Sequence, residues 1–89
     1  MKGGINMKLK KEFNFVYGVF EKNIDKIKEY APQLKESGDY KDFEKRLTFD
    51  CMYAFVGSAT MCEWNRKYGC NDGHIYTLGK TALKELKVI

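Results

Sequence analysis

Three cysteines and the only histidine, Cys51, Cys62, Cys70 and His74, are the residues whose types could hold zinc or supply a nucleophile with its base. Zinc ligands stand about 2.0–2.3 Å from one ion. Along a continuous helix rising about 1.5 Å per residue, Cys51 and Cys62 would lie about 16 Å apart. A break at Gly57 would bring them closer, but Cys62, Cys70 and His74 alone make three ligands with no C-x-x-C pair to anchor them. Buried thiols acting as small hydrophobes are the simpler expectation. Cys70 and His74 are spaced to meet across a helix start, yet no orienting group or oxyanion donor is placed beside them. Neither G-x-x-x-x-G-K-[ST] nor G-x-G-x-x-G occurs. The expectation is a protein that is not an enzyme, with no catalytic residue, metal ligand, cofactor or small-molecule substrate.

The elements that must position these residues are read from length and pattern. Eighty-nine residues make one domain, 1–89, burying about 60–65% of the surface its unfolded chain exposes. Residues 1–8 are expected to form a flexible N-terminal extension. The net charge of +4 and pI of 8.9 are only mildly basic. No apolar run of about 18–20 residues is present, so no membrane span is expected. The start, MKGGINMKLKKEF, has lysines but no apolar core of a secretory signal. An odd number of cysteines without framework spacing fits reduced thiols, and a cytoplasmic setting is expected.

The first helix is expected from about Leu9 to Ala31 or a little beyond, with Phe13, Val16, Tyr17, Phe20, Ile24, Ile27, Ala31 and Leu34 on one stripe. Pro32 should end or kink it, and Ser37-Gly38 should turn the chain. Phe15 and Val19 fall on the polar side and resist this scheme. A second helix, capped by Asp39, is expected to bury Phe43, Leu47, Cys51, Ala54 and Ser58. Its segment Leu47–Cys62 holds one formal charge, Asp50, in a chain where 31% of residues are charged. That run is apolar on two sides and must be covered by this chain or by a partner. Gly57-Ser58 is a candidate break, and Asp50 is expected to pair with Arg46 one turn earlier or with a lysine from another helix. Thr60 and Glu63 fit a capping box, Gly69 a helix C-terminus, and Asn71 or Asp72 the cap of a last helix burying Ile75, Leu78, Ala82 and Leu86. No strand-like alternation appears. The fold class is all-α: a small three- to four-helix bundle with a long central apolar helix and an angular C-terminal helix pair.

Within that pair, Thr60 to Leu86 resembles a helix-turn-helix: a short helix, Gly69 in the turn, apolar Cys70 after it, then Asn71 and Asp72 opening a second helix with Ile75 and Leu78 inward. The resemblance implies that Asn71, Gly73, Tyr76 and Thr77 would face DNA and that Lys80 and Lys84 would meet phosphates. The chain departs from the motif at Asn65, where a small residue is usual, and at Asp72, whose carboxylate opposes phosphate.

The preferred function is protein–protein interaction by a small helical regulator, adaptor or inhibitor, of the kind phages and mobile elements also encode. DNA binding through residues 60–86 is the alternative. Phe15, Tyr30, Tyr40, Phe49, Tyr53 and Trp64 exceed what one small core absorbs, and such aromatics anchor interfaces. The expected surface for a protein partner, or for a homodimer, comprises Phe49, Met52, Tyr53, Val56, Ala59 and Trp64.

Overall fold

The computed structural model describes the backbone of residues 2–38 and 41–89 and the side chains of residues 7–38 and 41–89. The described residues form six helices and no strand: α1 (Lys2–Glu12), α2 (Asn14–Lys22), α3 (Ile24–Ser37), α4 (Phe43–Phe55), α5 (Ser58–Tyr68) and α6 (Asp72–Glu85). The architecture is all-α and bundle-like, with shorter helices than the periodicity alone suggests. Helix α1 starts within the segment expected to be an extension, and the Asp39 cap falls outside the described residues. No described helix is long and apolar enough to cross a membrane.

The expected Leu9–Ala31 helix is broken twice, at Phe13 and at Asn23. Asn23 leaves the helical region, and its side-chain amide donates to the Val19 carbonyl at 2.8 Å. A short amide that competes for its own backbone is a standard cause of such breaks. The bends explain Phe15 and Val19, which are half-buried against the core instead of facing solvent. Phe15 meets Trp64 and Tyr68 of α5, at ring separations of 4.7 and 5.4 Å. Pro32, by contrast, does not end its helix, which runs on to Ser37. The ring and Lys28, whose carbonyl loses its amide partner, are both on the exposed side, where water can take that bond.

The apolar run from Leu47 is one helix only as far as Phe55. Gly57 follows with φ 99 and ψ 153, a region essentially restricted to glycine, and the chain restarts as α5. Asp42 caps α4, its carboxylate accepting from the Lys45 amide at 3.0 Å. Thr60 lies inside α5, so its expected capping box does not form. Gly69 closes α5 in the left-handed conformation (φ 70), and Asn71 caps α6. The face buried by α4 carries Leu47, Thr48, Cys51 and Met52, while Ala54 and Ser58, expected inside, are exposed. With a break at Val56–Gly57 inside it, Leu47–Cys62 is not one long central helix.

The centre is α6, which packs against α1, α2 and α4 and buries Ile75, Leu78, Gly79, Ala82 and Leu83. Helix α6 lies close against α4 at Gly79. A Cβ there would overlap the Thr48 methyl and stand 3.0 Å from Phe20 Cζ. Thr48 is fully buried, and its hydroxyl donates to the Glu44 carbonyl at 2.8 Å, so no polar atom is left unpaired. At the other end of α6, Glu85 accepts from Tyr17 Oη at 2.8 Å and Lys10 Nζ at 3.2 Å, joining α1, α2 and α6. The Lys10 ammonium also sits 4.0 Å from the Tyr17 ring centre.

Gly79→Ala is therefore expected to destabilise the fold by about 1–3 kcal/mol through overpacking, lowering the melting temperature by about 4–8 °C per kcal/mol. Thermal denaturation followed by circular dichroism checks this. The Glu85 carboxyl is held below its ordinary value of 4.5, first by the Tyr17 hydroxyl and then by Lys10. A depressed carboxyl stabilises fully above the unfolded value and loses that contribution as pH falls through the folded one. Lys10 is raised above 10.5, chiefly by the Glu85 bond, so its share persists until strongly alkaline pH. Because the cluster is half-exposed, the expected acid loss is small, roughly 0.2–1 kcal/mol. It should appear as pH falls below about 4.5 and be absent in Glu85→Gln, as compared by thermal melts across acid pH.

Candidate interaction surface

Helices α4 and α6 present two rows of side chains to one groove. On α4, Lys45, Phe49 and Tyr53 recur every four residues, which keeps them on one face. On α6, Asp72, Tyr76 and Lys80 do the same. The groove between the rows has a volume of about 360 Å³ and is lined by Lys45, Phe49, Tyr53, Asp72, Gly73 and Tyr76. Phe49 stacks on Tyr76 at 6.5 Å and lies at the same distance from Tyr53. The rows run antiparallel: Asp42, before the start of α4, accepts from Tyr76 Oη at 3.0 Å, while Tyr53, near its end, borders Asp72 and Gly73. A second groove of about 630 Å³ continues past Tyr53 between α5 and the first turn of α6, lined also by Ser58, Cys62, Asn65 and Asn71. A third, of about 580 Å³, opens between α3 and α4, with Tyr53 again at its edge. There Asp50 accepts from Arg46 Nε at 3.0 Å, as its spacing implied, and from Tyr30 Oη at 2.8 Å.

The electrostatics of this surface follow from its hydrogen bonds. The Asp42 carboxyl lies below its ordinary value, mainly because the Lys45 amide donates to it and then because Tyr76 does. Burial raises the Tyr76 phenol, and the bond to Asp42 adds to that. Lys80 Nζ lies 4.9 Å over the Tyr76 ring.

The residues proposed for a protein partner do not form one patch. Phe49 and Tyr53 line the grooves, and Tyr53 is 57% exposed. Ala59 is exposed and Val56 is half-buried against the core. Met52 is fully buried, at 0% exposure, and so presents nothing to a partner in this fold. The second apolar face of α4 is therefore covered in part by the chain itself. Trp64 is half-buried on a different side of α5, edge-on to Phe15. Of the residues that the helix-turn-helix likeness assigned to DNA, Asn71, Gly73 and Tyr76 line the same grooves as Tyr53. Thr77 is half-buried with its carbonyl accepting from Thr81, and Lys84 is exposed. Lys45 was not singled out from the sequence, although its place four residues before Phe49 was a usable signal.

The cysteines and the histidine are dispersed in role. Cys51 and Cys70 are buried, and burial pushes their thiols up to about 12 and about 11. Cys62 is exposed. His74 completes the cap of α6: its amide donates to Asn71 Oδ1 at 3.0 Å, and its Nδ1 accepts from the Asn71 amide at 3.4 Å. Among the described residues no cluster of three or more His, Cys, Asp or Glu could hold a metal ion. Comparison with known proteins finds no matching family model, curated protein or solved structure.

Thiol titration with a disulfide reagent at neutral pH is expected to show one fast group, Cys62, with Cys51 and Cys70 reacting only after denaturation. Three fast thiols would contradict the burial described.

Proposed function

We propose that the chain is a non-catalytic helical binding protein of the cytoplasm, a small regulator, adaptor or inhibitor that docks another protein on the surface around Tyr53. The observation that carries this reading is Tyr53 itself, a large aromatic left 57% exposed where three grooves meet. Tyrosine flanked by other aromatics supplies much contact area at small entropic cost, which suits an interface anchor. The non-catalytic part is supported by the thiols, two of them buried and far from thiolate formation. His74 adds support, since its Nδ1 is engaged in the α6 cap.

DNA docking through α6 is the second reading, favoured by the left-handed Gly69, the buried Cys70 and the exposed Asn71 cap. Against it stand the Asp42 and Asp72 carboxylates, which flank Tyr76 where phosphates would approach. A photo-crosslinking residue at position 53 tests the preferred reading. It is expected to capture a protein in the cell, where the same residue at exposed Glu36 does not, and Tyr53→Ala should weaken that complex by on the order of 2 kcal/mol or more. Duplex DNA binding at physiological salt, steeply salt-dependent and abolished by Lys80→Glu with Lys84→Glu, would overturn it.

A further inference from the structure

The α4–α6 groove has a charge arrangement that matches itself. Among the described residues its charged lining consists of one cation, Lys45, and one anion, Asp72. Lys45 belongs to the α4 row and Asp72 to the α6 row. Because the rows are antiparallel, Lys45 lies toward the end marked by the Asp42–Tyr76 bond and Asp72 toward the end marked by Tyr53. Eight residues of helix, about 12 Å, separate Lys45 from Tyr53 along α4. Between the charged ends lie the stacked rings of Phe49 and Tyr76. Neither side chain is held in a close ion pair, those among the described residues being Lys10–Glu85, Arg46–Asp50 and Lys67–Glu63, although the Lys45 ammonium also acts on the nearby Asp42 carboxylate.

A two-fold axis through the aromatic middle would exchange the two ends. It would set the Lys45 of each copy against the Asp72 of the other, with aromatic surface between, which is the isologous pattern of most homodimers. We propose that this groove takes a second copy of the same chain, two Lys45–Asp72 pairs fixing the register across a Phe49–Tyr76–Tyr53 centre. The proposal rests on the reading of this surface as a protein-docking site and names its occupant. Such pairs at an interface edge act mainly on specificity and encounter, and the aromatic centre supplies the desolvated area.

Charge reversal tests the proposal through sedimentation velocity on the full chain. Wild type is expected to be dimeric at high micromolar concentration. Lys45→Glu and Asp72→Lys should each associate at least about tenfold more weakly, since each places like charges opposite one another twice. An equimolar mixture of the two variants should recover the dimer, because both pairs are then attractive, one with its native sign and one inverted. The double variant should dimerise with itself, because both pairs are then restored with inverted sign. A cation at the first turn of α6 opposes the helix dipole, so Asp72→Asn is the second variant if Asp72→Lys unfolds by circular dichroism. It should weaken association without blocking it.

A wild type that stays monomeric at these concentrations overturns the proposal, as does a mixture no more associated than its components. A crosslink from position 53 to a different protein, with no self-crosslink, keeps the docking surface and overturns the second copy as its occupant. Loss of every protein crosslink there overturns both.

Discussion

The close approach of α4 and α6 at Gly79 is the constraint on which the rest of the fold depends. The Thr48 methyl and the Phe20 ring occupy the space a side chain would take at position 79. Van der Waals packing rewards that fit only while the gap stays closed. It places α6 in the middle, with α1, α2 and α4 around it. Thr48 can sit at this crossing because its hydroxyl is satisfied one turn back along its own helix. A valine would fill a similar volume without needing that bond, and a serine would leave the methyl's space empty.

From that crossing the surface follows. A helix held on three sides has few directions in which to show residues, and α6 shows its first turn and the Asp72–Tyr76–Lys80 row. The same crossing turns the Lys45–Phe49–Tyr53 row of α4 to face it, so the groove is a by-product of the core packing. Helix α5 is held differently. Met61 is its one buried residue, and Trp64 and Tyr68 rest against Phe15 of α2. Its loose attachment leaves the second groove open beside Tyr53.

The two candidate functions thus compete for one place instead of two. Residues that a DNA reader would use, Asn71, Gly73 and Tyr76, share grooves with the aromatics that a protein partner would use. What separates the readings is charge. The hydrogen-bonded Asp42 and the neighbouring Asp72 oppose phosphate here, while Lys45 lines the same aromatic groove.

The sequence by itself determined what depends on local chemistry. The all-α class, the break near Gly57, the left-handed end at Gly69, the Asn71 cap and the Arg46–Asp50 pair each follow from residues within one or two turns of each other. The inward set Val16, Phe20, Ile27, Leu47, Ile75 and Leu78 followed from period alone. Tertiary structure decided the remainder. The breaks at Phe13 and Asn23 divide a continuous stripe, because bending lets Phe15 and Val19 reach cover that no straight helix would give them. The burial of Met52 and exposure of Ala54 reverse the expectation, since which side of a two-faced helix is covered depends on where its neighbours cross. Pro32 stays helical because its face meets water. Lys45 and Asp72 gain meaning only across the groove, between helices about 27 residues apart in the chain, a separation that no local periodicity encodes.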